Sequence, residues 1–351
     1  MSIPFTGLSE TPVCDPREVG IDPRGLEAAL EELRCNSGRD GIGRTVVARH
    51  GRVVYAGREA DQQQMIWSCT KSIVSATLGL LVDEGRVALD QPVSDVLPAL
   101  RPHYPDATFR HFASMTSGYR AIGDDAPDAR WPHYRHGPSA TPFDPHPQPV
   151  HRPAGSADAY WDSAVNGPGP AMTRGAREPL GDLFRRRIGD PIGMRLRWGG
   201  WDVDGVEVCG GAGNHGGNIR TSALDLARFG QLMLQRGRWN QTSLLSEMWC
   251  AQATRVQAPA DLPSTGGFAD DGPGHYGLLW WVNAADARST RRWDGIEPAA
   301  FAASGYNNND LFVLPGLRIV VVRLGLDQDT DGPIPESIYA RVLRLLCQAI
   351  E

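Results

Sequence analysis

Ile66-Trp67-Ser68-Cys69-Thr70-Lys71-Ser72 places a serine three residues before the only lysine in the chain. Every other member of the 35 basic residues is arginine. Arginine keeps its proton near neutral pH, whereas a buried lysine can give it up. A lone lysine at serine-x-x-lysine spacing therefore points to a position that needs a deprotonatable amine. That is the chemistry of an activated serine nucleophile. Residues 68 to 84 are small and apolar and stop at Gly85, a natural position just past a helix end. The pattern predicts a buried helix with Ser68 near its first turn. On such a helix, positions i and i+3 share a face, so Ser68 Oγ and Lys71 Nζ can meet. The helix N-terminus also offers N–H groups and the positive dipole end to a developing oxyanion. A capping serine and a solvent-facing lysine would share this spacing, but the apolar helix and the missing lysines elsewhere argue against them.

Before this stretch, residues 24 to 34 carry leucines at helical spacing after an Asp-Pro start. Thr45 to Arg49 and Arg52 to Ala56 are β-branched runs around His50-Gly51 and predict a hairpin. After it, residues 108 to 115, 180 to 188 and 222 to 234 predict helices. Residues 138 to 153 hold six prolines and predict irregular loop. Toward the C-terminus, 311 to 314 and 318 to 324 predict strands around Pro315-Gly316, and 338 to 350 an amphipathic helix. Helix and antiparallel strand signals thus sit at both ends, with a helical, loop-rich middle. The expected fold class is α/β of the α+β type: an antiparallel sheet flanked by N- and C-terminal helices, with an inserted, mostly helical lobe. The expected division is 1–62 plus 285–351 for the sheet lobe and 63–284 for the inserted lobe.

With 41% hydrophobic and 22% charged residues, the 351-residue chain has an ordinary globular composition. A net charge of -6 does not suggest nucleic acid or an anionic membrane as partner. No apolar run approaches membrane-spanning length, and the N-terminus lacks the pattern of a signal peptide. Cysteines 14, 35, 69, 209, 250 and 347 are scattered without a C-x-x-C pair, which reads as free thiols and a cytoplasmic location. His and Asp are not spaced for zinc, and no G-x-S-x-G surrounds the serine, so neither metal nor organic cofactor is expected.

Beyond Trp67-Ser68-Cys69-Thr70-Lys71-Ser72, several segments follow in a familiar order. They are Leu80-Leu81-Val82-Asp83-Glu84-Gly85, Leu89-Asp90-Gln91-Pro92-Val93, Thr108 to Gly118 ending in Met115-Thr116-Ser117-Gly118, Pro191-Ile192-Gly193-Met194, and Gly216 to Gly230. Together they resemble the serine β-lactamase-like superfamily, in the class C β-lactamase, esterase and 6-aminohexanoate-dimer hydrolase group. The resemblance covers roughly residues 20 to 345. It implies a β-lactamase/transpeptidase-like fold and a serine hydrolase working through an acyl-enzyme.

The resemblance also assigns residues. In that family a tyrosine of a Y-x-N motif faces the nucleophile and shares its acid/base work with the lysine. Tyr160-Trp161-Asp162 stands in that place after Pro153-Ala154-Gly155, with Asp162 where the family has asparagine. This implies Ser68, Lys71 and Tyr160 as catalytic residues and Asp162 as a substrate contact. The family's K-T-G or H-x-G strand corresponds to Ala303-Ser304-Gly305, which lacks the basic residue. Penicillin-type substrates are therefore disfavoured, with Ser304 and Gly305 expected against the substrate. The backbone N–H groups of Ser68 and Tyr306 are expected to form an oxyanion hole. His215, in a glycine-rich segment, is expected at the cleft rim, Cys69 as a packed small residue, and Trp280-Trp281 in the core or cleft wall.

The function expected from these residues is hydrolysis of a small ester or amide. Two alternatives stand beside it. One is an acyltransferase passing the acyl group to an amine or alcohol in a natural-product pathway, with residues 120 to 155 as a lid. The other is a catalytically silent binding protein of the same fold.

Overall fold

The computed structural model describes residues 12–102, 104–118, 153–160, 165, 168–199, 201–203, 206–208, 219–267, 272–326 and 333–351. Helix α1 (Pro23–Cys35) begins where Asp22 accepts from the Arg24 and Gly25 N–H groups and Pro23 fills the first helical position. Strands β1 (Thr45–Arg49) and β2 (Arg52–Ala56) form the expected hairpin. His50 and Gly51 both take positive φ, 53° and 77°, which a tight two-residue hairpin turn demands.

Three small strands follow in sequence: β3 (Gln64–Met65), β4 (Asp158–Tyr160) and β5 (Leu196–Trp198). Leaving aside the short strand pairs Trp201–Val203 with Val206–Val208 and Arg238–Trp239 with Thr242–Ser243, the strands continue with β6 (Ile219–Thr221), β7 (Ser264–Gly267) and β8 (Trp281–Val282). The C-terminal strands are β9 (Phe301–Gly305), β10 (Asn309–Leu314) and β11 (Ile319–Arg323). The principal sheet runs β8-β9-β10-β11-β1-β2 and is antiparallel throughout. Strand β6 sits between β3 and β5 in a second sheet, and β4 pairs in parallel with β7.

The remaining helices used below are α2 (Cys69–Asp83), α3 (Phe109–Ala113), α4 (Gly169–Ala176) and α5 (Leu180–Phe184). They are followed by α6 (Ala223–Leu234), α7 (Glu247–Ala253) and α8 (Glu336–Gln348). Helices α6 and α2 pack on one face of the principal sheet, and α2 is itself surrounded by α4, α5 and α7. On the other face α8 packs against α1 and meets the sheet where Tyr339 lies on Phe312, 5.0 Å between ring centroids. A sheet covered on both faces has no solvent side, so β11 is buried at every position and its sequence runs Ile-Val-Val-Val without alternation. The segment leading into α1 also meets the end of α8. Asp22 N–H donates to Ala349 O at 2.8 Å, and Ile21 bridges Ile350.

The helices expected at 24–34, 68–84, 108–115, 222–234 and 338–350 are present within two residues of their expected ends, and the one at 180–188 is α5 continued by a wider, π-type turn over Arg185–Gly189. Edge strand β8 departs from the expectation, because it lies on the inserted-lobe side of the division placed at 284/285. Two residues of tryptophan and valine are too short a run to carry a strand signal. Pairing with Phe301 and Ala302 makes them one. The proline-rich loop lies outside the described residues except for Pro153.

Candidate active site

The serine and lysine meet as their spacing predicts. Lys71 Nζ lies 2.8 Å from Ser68 Oγ in hydrogen-bond geometry. Lys71 is 1% exposed, whereas Ser68 is partly open. Ser68 stands at the N-cap of α2 but makes no side-chain cap, so its hydroxyl belongs to the lysine rather than to the helix. Just before it, Trp67 holds φ at 49°, an uncommon conformation for a bulky residue that costs about 1–3 kcal/mol and turns the chain sharply into the helix. The turn is braced by Cys69 N–H to Ile66 O and Thr70 N–H to Trp67 O. Thr70 Oγ1 accepts from Ile219 N–H, anchoring α2 to β6.

Tyr160 enters from β4. It is 7% exposed, and the Lys71 Nζ lies 4.9 Å from its ring centroid. Its ring stacks on Trp281 at 5.5 Å and 20°, and Tyr276 meets it edge-on at 5.8 Å. Trp281 is therefore the wall behind Tyr160. Ala159 N–H donates to Met115 O, joining β4 to the segment that follows α3.

The end of β9 closes the third side. A Cβ on Gly305 would lie 2.5 Å from Ile66 O and 3.0 Å from the nitrogens of Ser68 and Cys69. The glycine thus admits the backbone of the serine turn. Among the described residues neither the Ser68 nor the Tyr306 N–H donates to another backbone carbonyl. The turn is held from below. Arg323, itself 1% exposed, donates to the Asn307 and Asn308 carbonyls at 3.2 and 2.8 Å. Asn309 Nδ2 donates to Tyr306 O at 2.6 Å, and Gln64 Nε2 to Asn309 Oδ1 at 2.8 Å. The Tyr306 side chain is 70% exposed and meets Trp67 edge-on at 5.1 Å, so two aromatic rings flank the serine turn.

Ser304 departs from expectation. Neighbouring strand residues point to opposite faces, so its side chain turns away from the face on which Gly305 meets Ser68. Its hydroxyl donates to Asp310 Oδ1 at 2.7 Å, across the register pair Ser304–Asp310. Burial pushes the Asp310 carboxyl up to about 7. Cys69 is packed as expected. Its Sγ lies 3.0 Å from Asn309 O, and burial pushes its thiol well above the ordinary range. Asp162 and His215 lie outside the described residues, as do the lid candidates at 120–152. Asp310, Arg323 and Asn309 escaped the sequence reading. The run Asn307-Asn308-Asn309-Asp310 was a visible signal of polar turn chemistry, but its partner Arg323 lies in an apolar strand. No group of three potential metal ligands occurs among the described residues, and none of their helices is long and apolar enough to cross a membrane.

Comparison with known proteins bears on the family and the fold. The sequence signature of the family described as Beta-lactamase matches residues 26–333. Esterase EstB of Burkholderia gladioli is 34% identical over 124 residues, which cover 30% of this chain and only 32% of that protein. The 6-aminohexanoate-dimer hydrolase of Paenarthrobacter ureafaciens is 24% identical over 340 residues, covering 93% of this chain and 81% of the other. The solved structure of EstCE1, a hydrolase with promiscuous acyltransferase activity, superposes with a TM-score of 0.67 at 21% identity. That superposition covers 93% of this chain and 98% of EstCE1. Fold, ordered motifs and the match over most of its length agree that this chain belongs to the β-lactamase family of serine hydrolase-type proteins.

Proposed function

We propose that the chain is a serine hydrolase that cleaves a small, uncharged ester or amide through an acyl-enzyme on Ser68. The observation that carries this reading is the 2.8 Å contact between Ser68 Oγ and the nearly buried amine of Lys71. In the first half-reaction Lys71, in its neutral form, takes the hydroxyl proton as Oγ bonds to the substrate carbonyl carbon. The carbonyl electrons move to oxygen, where the N–H groups of Ser68 and Tyr306 receive them. The intermediate collapses, the bond to the leaving group breaks, and Tyr160 or Lys71 returns the proton to it. In the second half the oxygen of a water bonds to the acyl carbon as its proton passes to the same base; the bond to Ser68 Oγ then breaks, Oγ takes that proton back, and the acid leaves. Ala303, where the family pattern has a basic residue, and the neutral rings of Trp67 and Tyr306 support an uncharged substrate.

A second reading is supported by the name of EstCE1, which records acyl transfer on the same fold. An amine or alcohol in place of water would make this protein an acyltransferase with an unchanged first half-reaction. Incubation with an acyl ester and amines separates the two, and free acid as the sole product sinks acyl transfer.

The acyl-enzyme reading itself is tested with a fluorophosphonate probe and mass spectrometry of the intact protein. The expected result is one adduct, mapped to Ser68, which disappears in Lys71→Ala while that variant still melts cooperatively. A folded wild-type protein that takes up no probe would instead be a binding protein of this fold.

A further inference from the structure

We propose that Arg292 is a positioning residue for Tyr160, acting through Trp281; this rests on the acid/base role proposed above for Tyr160. Four side chains from three distant parts of the sequence form a column. Lys71 Nζ lies 4.9 Å from the Tyr160 ring centroid, Tyr160 stacks on Trp281 at 5.5 Å, and the Arg292 guanidinium lies 4.0 Å from the Trp281 ring centroid. Tyr276 closes the side, edge-on to both rings at 5.8 and 4.8 Å.

Tyr160 rests on the Trp281 ring. It ends a three-residue strand whose partner β7 pairs with a shifted register. An offset stack of two rings permits sliding in the ring plane, so the position of Tyr160 depends on where Trp281 is held. Tryptophan is the ring that holds a cation best. Arg292 supplies that cation and is itself fixed, since it pairs with Glu336 in the first turn of α8. The same carboxylate accepts from Trp293 Nε1 at 2.7 Å. The C-terminal helix therefore reaches the proposed acid/base residue through Glu336, Arg292 and Trp281. Glu336 offsets the charge of Arg292, so the arginine acts on where Tyr160 sits and not on its proton affinity.

The test is a double-mutant cycle on p-nitrophenyl acetate, read as kcat and KM, with thermal melts. The variants are Arg292→Gln and Arg292→Lys, each in the parent and in the Tyr160→Phe background. The expected result is that Arg292→Gln lowers kcat about tenfold with KM little changed, a fraction of what a full ångström of misplacement costs. Arg292→Lys, which keeps a cation over the indole, restores most of the loss. In the Tyr160→Phe background neither change lowers kcat further, because residues that act as a unit are non-additive. Trp281→Leu runs the same cycle should Arg292→Gln not fold. Equal losses in both backgrounds, or no loss in the parent, overturn the proposal while leaving the Tyr160 reading intact. Full activity of Tyr160→Phe alone overturns that reading, and the proposal with it.

Discussion

Gly305→Ala probes the construction of the site with a single methyl group. The added Cβ would lie 2.5 Å from Ile66 O and 3.0 Å from the nitrogens of Ser68 and Cys69. All three atoms are backbone, so no rotamer change relieves the clash. Gly305 is not among the positive-φ residues, so the cost is steric and not conformational. Ordinary contact requires the end of β9 and the serine turn to separate by roughly 0.7 Å, given the steep repulsion inside normal non-bonded distances. Such a shift moves the proposed oxyanion donors of Ser68 and Tyr306 apart. Misplacement on the order of 1 Å costs about 10²-fold in rate, and loss of one oxyanion donor costs about 10²–10³-fold. A fall in kcat of roughly 10²-fold is therefore expected on p-nitrophenyl acetate. Overpacking of this kind costs about 1–3 kcal/mol, so the thermal midpoint should drop by only a few degrees. A folded Gly305→Ala enzyme whose kcat stays within about threefold of the parent, well short of those losses, refutes the argument that Gly305 sets the spacing.

Further expectations follow from the same geometry. Lys71→Arg keeps charge and approximate size but removes the deprotonatable amine, so kcat should fall by about 10²–10⁴-fold, the usual worth of a general base; retention of kcat in steady-state assays would remove Lys71 from that role. Because Ala303 replaces the family's basic residue, short-chain p-nitrophenyl esters should be turned over while nitrocefin is left nearly untouched, and rapid nitrocefin hydrolysis would contradict this reading of β9. Asp310 titrates near 7 when folded and near 3.8 otherwise, raised chiefly by burial. Between those values the folded state holds the extra proton, so this group's contribution to stability is lost as pH rises from about 4 to 7. Asp310→Asn should flatten that slope by a few kcal/mol in urea titrations at pH 5 and 8, and parallel slopes in the two proteins would rule the effect out.

Much of the fold was legible in local pattern. Leucine spacing in α1 and α6, the β-branched runs of β1 and β11 and the small-residue run of α2 are each fixed by neighbours a few positions away in the chain. The Ser68–Lys71 contact belongs to this class, because one helical turn brings i and i+3 together whatever surrounds them. The motif order pointed to Tyr160, but its ring is placed by Trp281 and Tyr276, more than a hundred residues further on. Strand β8 was missed because two residues show no period, and only its pairing partner reveals it.

Where local pattern ended, the pleat and the packing took over. Ser304 and Gly305 are adjacent in one motif, and both were expected against substrate. A strand sends neighbouring residues to opposite faces. The Ser304 hydroxyl therefore goes to the buried Asp310, and Gly305 makes room for the serine turn. Which face is which depends on α2 lying on one side of the sheet and α8 on the other, a matter of contacts between residues hundreds of positions apart. Sequence alone named the Ser68–Lys71 pair and the family architecture. The walls, braces and spacing of the site come from side chains that only the closed sheet and its two helical layers bring together.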